Sequence, residues 1–407
     1  MSIQKARAKR ISLFLATLFT VLLFCAFAFA SEPTTATGEN GEPAYHITNP
    51  YADVDWAIYD QYKANLHTHS KISDGDHPLH VIVEEYYAKG YDVLAITDHN
   101  FVMENWSGVK FGAVEAERSD EIQSGADRDG RPMVCVENTN EQSTAEHMNT
   151  FWTPFKSIPN ETMSGILEAV ESLGGICHIN HPGRYTGGSK QNDIDSIAAA
   201  NKPKTIRKYV DLFMRYPCCV GMEIVNRLDH HSKSDRILWD NILKETMPEG
   251  RFVWGFAGDD AHNRRDVGYS WIVLLMPANS QTDIRTAMET GAFYAVSRVS
   301  RLDDINRRKP SGSELPGNGT DRTMYLLGQP TPGVSKIEVI GDAIRIEGVE
   351  YDTIEWIADG VIIATGNVIH LSDYAGQINS YVRAQLKSDT GIAFTQPFGV
   401  RKAEEGE

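Results

Sequence analysis

The sequence predicts an α/β barrel followed by a small all-β domain. Two observations carry this: strands and helices alternate over roughly 240 residues, and after Arg308 the texture changes to short runs of alternating polar and apolar residues. The 407 residues suffice for one large domain and a small one, and 41% hydrophobic with 23% charged residues is an ordinary globular composition.

The first thirty residues stand apart. Lys5, Arg7, Lys9 and Arg10 precede an apolar stretch from Ile11 to Ala30, which closes on Ala28-Phe29-Ala30, a small-x-small pattern for signal peptidase. Residues 1–30 are therefore expected to direct export, with Ser31 as the new N-terminus; an uncleaved anchor is the alternative. Cys25 follows Phe24, which disfavours a lipoprotein site. No membrane span is expected after cleavage. Removing four basic residues and no acid takes the formal charge from −16 to −20, which argues weakly against tracking along nucleic acid. Cys135, Cys177, Cys218 and Cys219 show no metal-ligand spacing and read as buried thiols.

Residues 31–61 form a lead-in ending in Trp56 and Tyr59. The barrel spans 62–308. Its first strand, Tyr62 to His67, precedes a helix from Pro78 to Lys89 stopped by Gly90. Tyr91 to Thr97 is an apolar run of the buried parallel type, and Met133 to Val136 and Met148 to Trp152 repeat it. A helix from Met163 to Leu173 ends at Gly174-Gly175, before the strand Ile176 to Asn180. Gly221 to Val225 and Phe252 to Gly258 bracket a helix from Ser234 to Glu245. Trp271 to Met276 and Phe293 to Val296 complete the series. Residues 309–324 read as a linker. The 325–407 segment reads as a sandwich-like domain, with Asp359-Gly360 as a hairpin signal.

Chemistry-bearing residues gather just beyond strand ends. His67-Thr68-His69 places two imidazoles on one face of an extended segment, with Asp74 following. Thr97-Asp98-His99, Glu137 with His147, His181, and Asp260-Ala261-His262 are the others. Taken singly, a strand-end histidine is usually a hydrogen-bonded structural residue, and His77, His80, His178, His230, His231 and His370 stay in that class. Collectively, six histidines and three carboxylates would be too costly to bury without a cation. Nitrogen and oxygen donors without thiolate suit Zn, Mn or Fe.

His67-Thr68-His69-Ser70, Ser73-Asp74-Gly75, Thr97-Asp98-His99, the Glu137–His147 pair, His181-Pro182 and Gly258 to His262 resemble, in order and spacing, the motif series of the PHP (polymerase and histidinol phosphatase) family. The resemblance implies a distorted (β/α)7 barrel with two to three divalent metals at the C-terminal mouth of the strands, and phosphoester hydrolysis. It implies that His67, His69 and Glu137, with His181 or Asp260, hold one metal. Asp74, His99, a bridging Glu137 and Asp260 surround a second, and His147, His181 and His262 contribute to a third. Asp259 departs from the pattern, since a small polar residue is expected there.

The implied reaction is attack on phosphorus by a metal-bridging hydroxide. Arg184 is the first candidate to orient the phosphate, then Arg227 and Arg264. His262 or Asp98 could protonate the leaving group, although Asp98 reads better as orienting a neighbour; Glu223 reads as structural. The expected substrate is a small phosphate monoester. The rivals are a 5′–3′ exonuclease or phosphodiesterase, disfavoured by the charge, and a binding module whose β domain docks on a cell-surface polymer.

Overall fold

A computed structural model describes residues 45–186, 193–227, 231–298 and 329–402. The expected signal segment, the first part of the lead-in and the 309–324 linker lie outside the described residues. The chain divides into units Met1–Thr34 and Thr35–Glu407, and everything below belongs to the second. No helix among the described residues is long and apolar enough to cross a membrane.

In chain order, β1 (Tyr45–Thr48) and β2 (Asp60–Asn65) lead to α1 (Leu79–Ala88), β3 (Val93–Leu94), α2 (Ala116–Ser124) and β4 (Val134–Cys135). Then come β5 (Asn140–Gln142), β6 (Met148–Phe151), α3 (Met163–Ser172), β7 (Ile176–Ile179), α4 (Gly183–Thr186), α5 (Asp193–Ala200), α6 (Pro203–Arg215) and β8 (Cys219–Asn226). The series continues with α7 (Ser232–Thr246), β9 (Trp254–Gly258), β10 (Ser270–Met276), α8 (Gln281–Thr290) and β11 (Phe293–Ser297). The C-terminal strands are β12 (Gly333–Ile340), β13 (Ala343–Val349), β14 (Thr353–Ala358), β15 (Val361–Thr365), β16 (Val368–His370), β17 (Tyr381–Ser388), β18 (Gly391–Phe394) and β19 (Phe398–Lys402).

Local chemistry sets several boundaries. Thr162 caps α3 by accepting from the Gly165 amide at 3.0 Å, and Ser280 does the same for α8 at the Asp283 amide. Gly291 closes α8 in the left-handed conformation (φ 80°). Asp359 and Gly360 turn at φ 50° and 79°, joining β14 to β15 with Ala358 opposite Val361, as a two-residue hairpin requires.

The mixed α/β class expected from the sequence is what the chain forms, but the described strands make two large sheets instead of one continuous ring. In one, β5-β6-β7-β8-β9 lie in order, with β7, β8 and β9 parallel. β6 runs antiparallel to both neighbours. Only residues 143–147 join β5 to β6, too few for the crossover a parallel pair needs. In the other, β2-β3-β4 are parallel and β10 pairs antiparallel with β2 and β11. Two isolated parallel bridges, Thr68 with Ala261 and His99 with Glu141, join the segments beyond β2 and β3 to the segment beyond β9 and to β5 of the other sheet.

The C-terminal strands extend this architecture. β18 pairs with β11, β17 with β18, and β1 lies beside β19, so one sheet runs from the β2–β4 strands into the C-terminal region. β12, β13 and β16 make a separate three-stranded sheet. Its Ile337, Ile344 and Ile369 share an apolar core with Trp356 and Leu386. A second core, around Ile179, Met222, Trp239 and Phe256, lies among β7–β9 and their helices. β8 is buried along its whole length, in keeping with a parallel strand covered on both faces.

Candidate metal centre

The two isolated bridges build the site. Thr68 pairs with Ala261, and the His69 amide donates to the Ala261 carbonyl at 2.9 Å. The residues on either side of each bridging position, His67 and His69 from one segment and Asp260 and His262 from the other, share a face. The imidazoles of His67 and His69 lie 5.3 Å apart, and those of His69 and His262 4.4 Å apart. The second bridge sets His99 beside Glu141, with Nδ1 2.7 Å from Oε2.

Three strand ends turn through left-handed residues: His181 after β7 (φ 28°), Arg227 after β8 (φ 45°) and Asp260 after β9 (φ 44°). Side chains larger than glycine rarely adopt this conformation, and such strain concentrates at functional sites.

Glu141 lies at the centre. Its Oε1 is 3.1 Å from His67 Nε2, 3.1 Å from His147 Nδ1 and 3.5 Å from His181 Nε2, and its Oε2 is 3.5 Å from His69 Nε2. Asp260 Oδ1 lies 3.3 Å from His67 Nε2 and 3.2 Å from His69 Nε2. Asp74 closes the open side, with Oδ2 3.4 Å from His99 Nε2 and 3.3 Å from His262 Nε2. The donor atoms fall into four overlapping groups: His69, Asp74, His99 and His262; His67, Glu141 and His181; His67, His69 and Asp260; and His99, Glu141 and His147. His262 thus groups with Asp74, not with His147 and His181 as the resemblance implied.

Eight of the nine expected ligands converge. The ninth does not: Glu137 is exposed and outside all four groups. The chain reverses beyond Val136 through Asn138 (φ 52°) and enters the short strand β5. That carries Glu141 inward, while Glu137 contributes only its backbone carbonyl, to the Trp152 amide. Glu141 stands in a polar run, Thr139 to Gln142, that nothing in the sequence marks as buried but that the fold buries throughout.

The surroundings orient the ligands. Glu223 Oε1 is 2.7 Å from His67 Nδ1, which turns Nε2 towards Glu141 and Asp260, while Oε2 accepts from the His181 amide and from Asn226 Nδ2. His262 Nδ1 donates to the Asp260 carbonyl at 2.9 Å, leaving Nε2 for Asp74. Asp98 does not touch the cluster as a proton donor would. Its two oxygens accept from the amides and hydroxyls of Ser70 and Ser73, fixing the loop between His69 and Asp74. Asp259 is equally occupied, accepting from the amides of Gly268, Tyr269 and Ser270 and from the hydroxyls of Tyr86 and Tyr91.

Arg184 Nη2 lies 3.0 Å from Asp260 Oδ2 and 2.9 Å from Asn226 Oδ1. Arg227 reaches the same Asp260 oxygen at 3.8 Å and pairs with Asp266. Arg264 is committed to Glu85. Of the histidines set aside as structural, His77, His80, His178, His231 and His370 lie outside the ligand groups, and His230 lies outside the described residues. His178 is buried, stacked on Phe256 at 4.5 Å, and its pKa is pushed down to about 4 by burial.

Electrostatics agree with a cation-binding role. Burial alone would raise the carboxyls of Glu141 and Asp260, but His67 and the other imidazoles around them, with Arg184 beside Asp260, hold both well below their usual range. Burial works against a charged His67, yet Glu223, Asp260 and Glu141 push its pKa well above the ordinary value. In His99 burial is outweighed by Glu141 and Asp74. In His69 and His181 burial prevails and the pKa falls.

No family model and no curated protein matches the chain. Solved structures do show similarity. A two-domain protein from Bacteroides vulgatus, described as containing a predicted PHP-like metal-dependent phosphoesterase, is 16% identical with a TM-score of 0.43, over 87% of this chain and 90% of that one. An amidohydrolase from Chromobacterium violaceum with bound sulfate is 15% identical with a TM-score of 0.31, over 49% and 87%. The lesion-specific endonuclease EndoQ from Pyrococcus furiosus is 13% identical with a TM-score of 0.33, over 67% and 72%.

Proposed function

We propose that this chain is a metal-dependent phosphoesterase of the PHP type, acting on small phosphate monoesters. One observation carries the reading. His99 Nδ1 and Glu141 Oε2 are 2.7 Å apart, yet neither makes a hydrogen bond among the described residues, and the same holds for Nε2 of His67 and of His69. Buried polar atoms are rarely left so. Lone pairs that crowd together without pointing at one another are those of ligands aimed at common points between them.

The donor set fits two to three divalent ions of Mn, Zn or Fe. Glu141 belongs to two of the groups and would bridge. Bound there, such ions would activate water and neutralise charge on a phosphoryl group. The protein's own part is positioning. Glu223 holds the His67 ring, Asp98 holds the loop that presents Asp74, and Arg184 supplies a guanidinium beside Asp260 for phosphate oxygens. His262, with Nε2 turned to Asp74, holds a ligand position. The two bridged sheets are read as a distorted (β/α)7 barrel, and residues 1–30 as an export signal.

The test is hydrolysis of 4-nitrophenyl phosphate, bis(4-nitrophenyl) phosphate and a single-stranded oligonucleotide by protein loaded in turn with Mn, Zn and Fe. Monoester turnover that Glu141→Gln abolishes and Glu137→Gln spares supports the reading. No turnover of any substrate with any metal overturns it, and preference for the oligonucleotide replaces it with the nuclease.

A further inference from the structure

Tyr185 lies on α4, the single turn that follows His181 and also carries Arg184. The amides of Arg184, Tyr185 and Thr186 make that turn by donating to the His181 and Pro182 carbonyls. Gly183 pins it in place. Its amide donates to Asp235 Oδ1 at 2.5 Å, and its carbonyl accepts from Ser196 Oγ at 3.1 Å. So anchored, the turn sets the Tyr185 ring beside two ligand histidines, 5.5 Å from the His147 ring and 5.8 Å from the His181 ring. Its neighbour Arg184 reaches Asp260 at 3.0 Å.

The hydroxyl is the informative group. Other tyrosines inside this fold give theirs to a carboxylate: Tyr86 and Tyr91 to Asp259, Tyr209 to Glu146, and Tyr381 to Asp240. Tyr185 is half-buried, and its hydroxyl makes no hydrogen bond among the described residues. Glu146, whose charge reaches the phenol, is already engaged by Lys208 and Tyr209. Burial first, and then Glu141, push the phenol's pKa up, which makes it a hydrogen-bond donor and not a base. A ring that only packed against His147 and His181 would be served as well by phenylalanine. The hydroxyl adds a neutral donor at the edge of a cluster made of carboxylates and imidazoles, and what it suits is a ligand rich in acceptors. Phosphate oxygens are such acceptors.

We infer that Tyr185 is a substrate-binding residue whose hydroxyl donates to a non-bridging oxygen of the phosphate. The inference rests on the phosphoesterase reading and adds to it a contact outside the ligand set.

The test is calorimetric titration of inorganic phosphate into full-length, metal-loaded protein freed of excess metal. Wild type, Tyr185→Phe and Tyr185→Leu are compared, with elemental analysis, thermal melts and steady-state rates on 4-nitrophenyl phosphate for each. Expected in Tyr185→Phe is phosphate binding weakened about tenfold, as for one lost hydrogen bond to a charged group, with a similar fall in kcat/KM and unchanged metal content. Phosphate affinity and kcat/KM within about twofold of wild type in Tyr185→Phe, with losses confined to Tyr185→Leu, would mark a packing role and overturn the inference alone. Loss of metal from Tyr185→Phe would overturn it too, since the ring would then act through the ligands. A wild type that takes up no metal, or that once loaded binds no phosphate and hydrolyses no ester, overturns the phosphoesterase reading and this inference with it.

Discussion

Asp259 and Asp260 are neighbours in sequence and equally buried, and they live in opposite environments. Asp259 accepts five hydrogen bonds, three from amides and two from tyrosines. Asp98 is saturated in the same way by Ser70 and Ser73. Asp260 and Glu141 instead face a crowd of imidazoles at 2.7–3.5 Å, with one further donor each, Arg184 at Asp260 Oδ2 and Asn180 Nδ2 at Glu141 Oε1, and with Glu141 Oε2 lacking any hydrogen bond. Buried acids whose oxygens are filled by amides and hydroxyls hold the backbone. Those whose oxygens each face several ring nitrogens at once are arranged for something that must come between them.

The contrast breaks most sharply at Glu141. Glu141→Gln is expected to lower phosphoester hydrolysis about 100-fold or more, while Glu137→Gln stays within about twofold; steady-state rates on 4-nitrophenyl phosphate decide it. Equal losses in the two variants would return Glu137 to the centre. Next comes Glu223→Gln, which loosens the His67 ring without removing a ligand. Metal affinity should fall about 10–100-fold, read by competition with a chromogenic chelator.

Asp259→Asn sharpens the comparison from the other side. Losing acceptors for the 268–270 amides should cost about 1–3 kcal/mol in urea unfolding and leave metal affinity unchanged. A smaller effect is linked to pH. The carboxylates keep the pKa values of His67 and His99 raised, so protons on these rings must leave when a cation binds. Metal addition should release protons, more of them near pH 6 than near pH 8, and affinity should weaken as pH falls. Calorimetry in buffers of differing ionisation enthalpy measures this; proton release that does not grow at the lower pH would contradict it.

Much of this was legible in sequence because period and spacing survive folding. The His-x-His and Asp-x-His pairs share faces since both flank positions in extended bridges, and the Asp359-Gly360 turn followed from its residue types alone. The helices at Leu79–Ala88, Met163–Ser172 and Ser232–Thr246 fall within two residues of expectation. What failed did so for a physical reason. Glu137 looked like a ligand because it follows the apolar run Met133–Val136, and strand ends are where ligands sit. The chain there spends four more residues reversing direction, and the three-residue polar strand that carries Glu141 has no apolar period to announce it. Asp98 and Asp260 are both strand-end acids, separated in sequence only by the motif resemblance that made Asp260 a ligand and Asp98 an orienting residue. In the fold, the donors around each one, contributed by Ser70 and Ser73 or by His67 and His69, tell them apart. The union of β18 with β11 is a long-range pairing that no local pattern encodes.

The most direct test is elemental analysis of the purified protein and its Glu141→Gln variant after incubation with Mn, Zn or Fe and removal of free metal. About two to three equivalents per chain, reduced by at least about one in the variant, is the expected result. Less than about one equivalent, the same in both proteins and not raised by added metal, would contradict the metal centre.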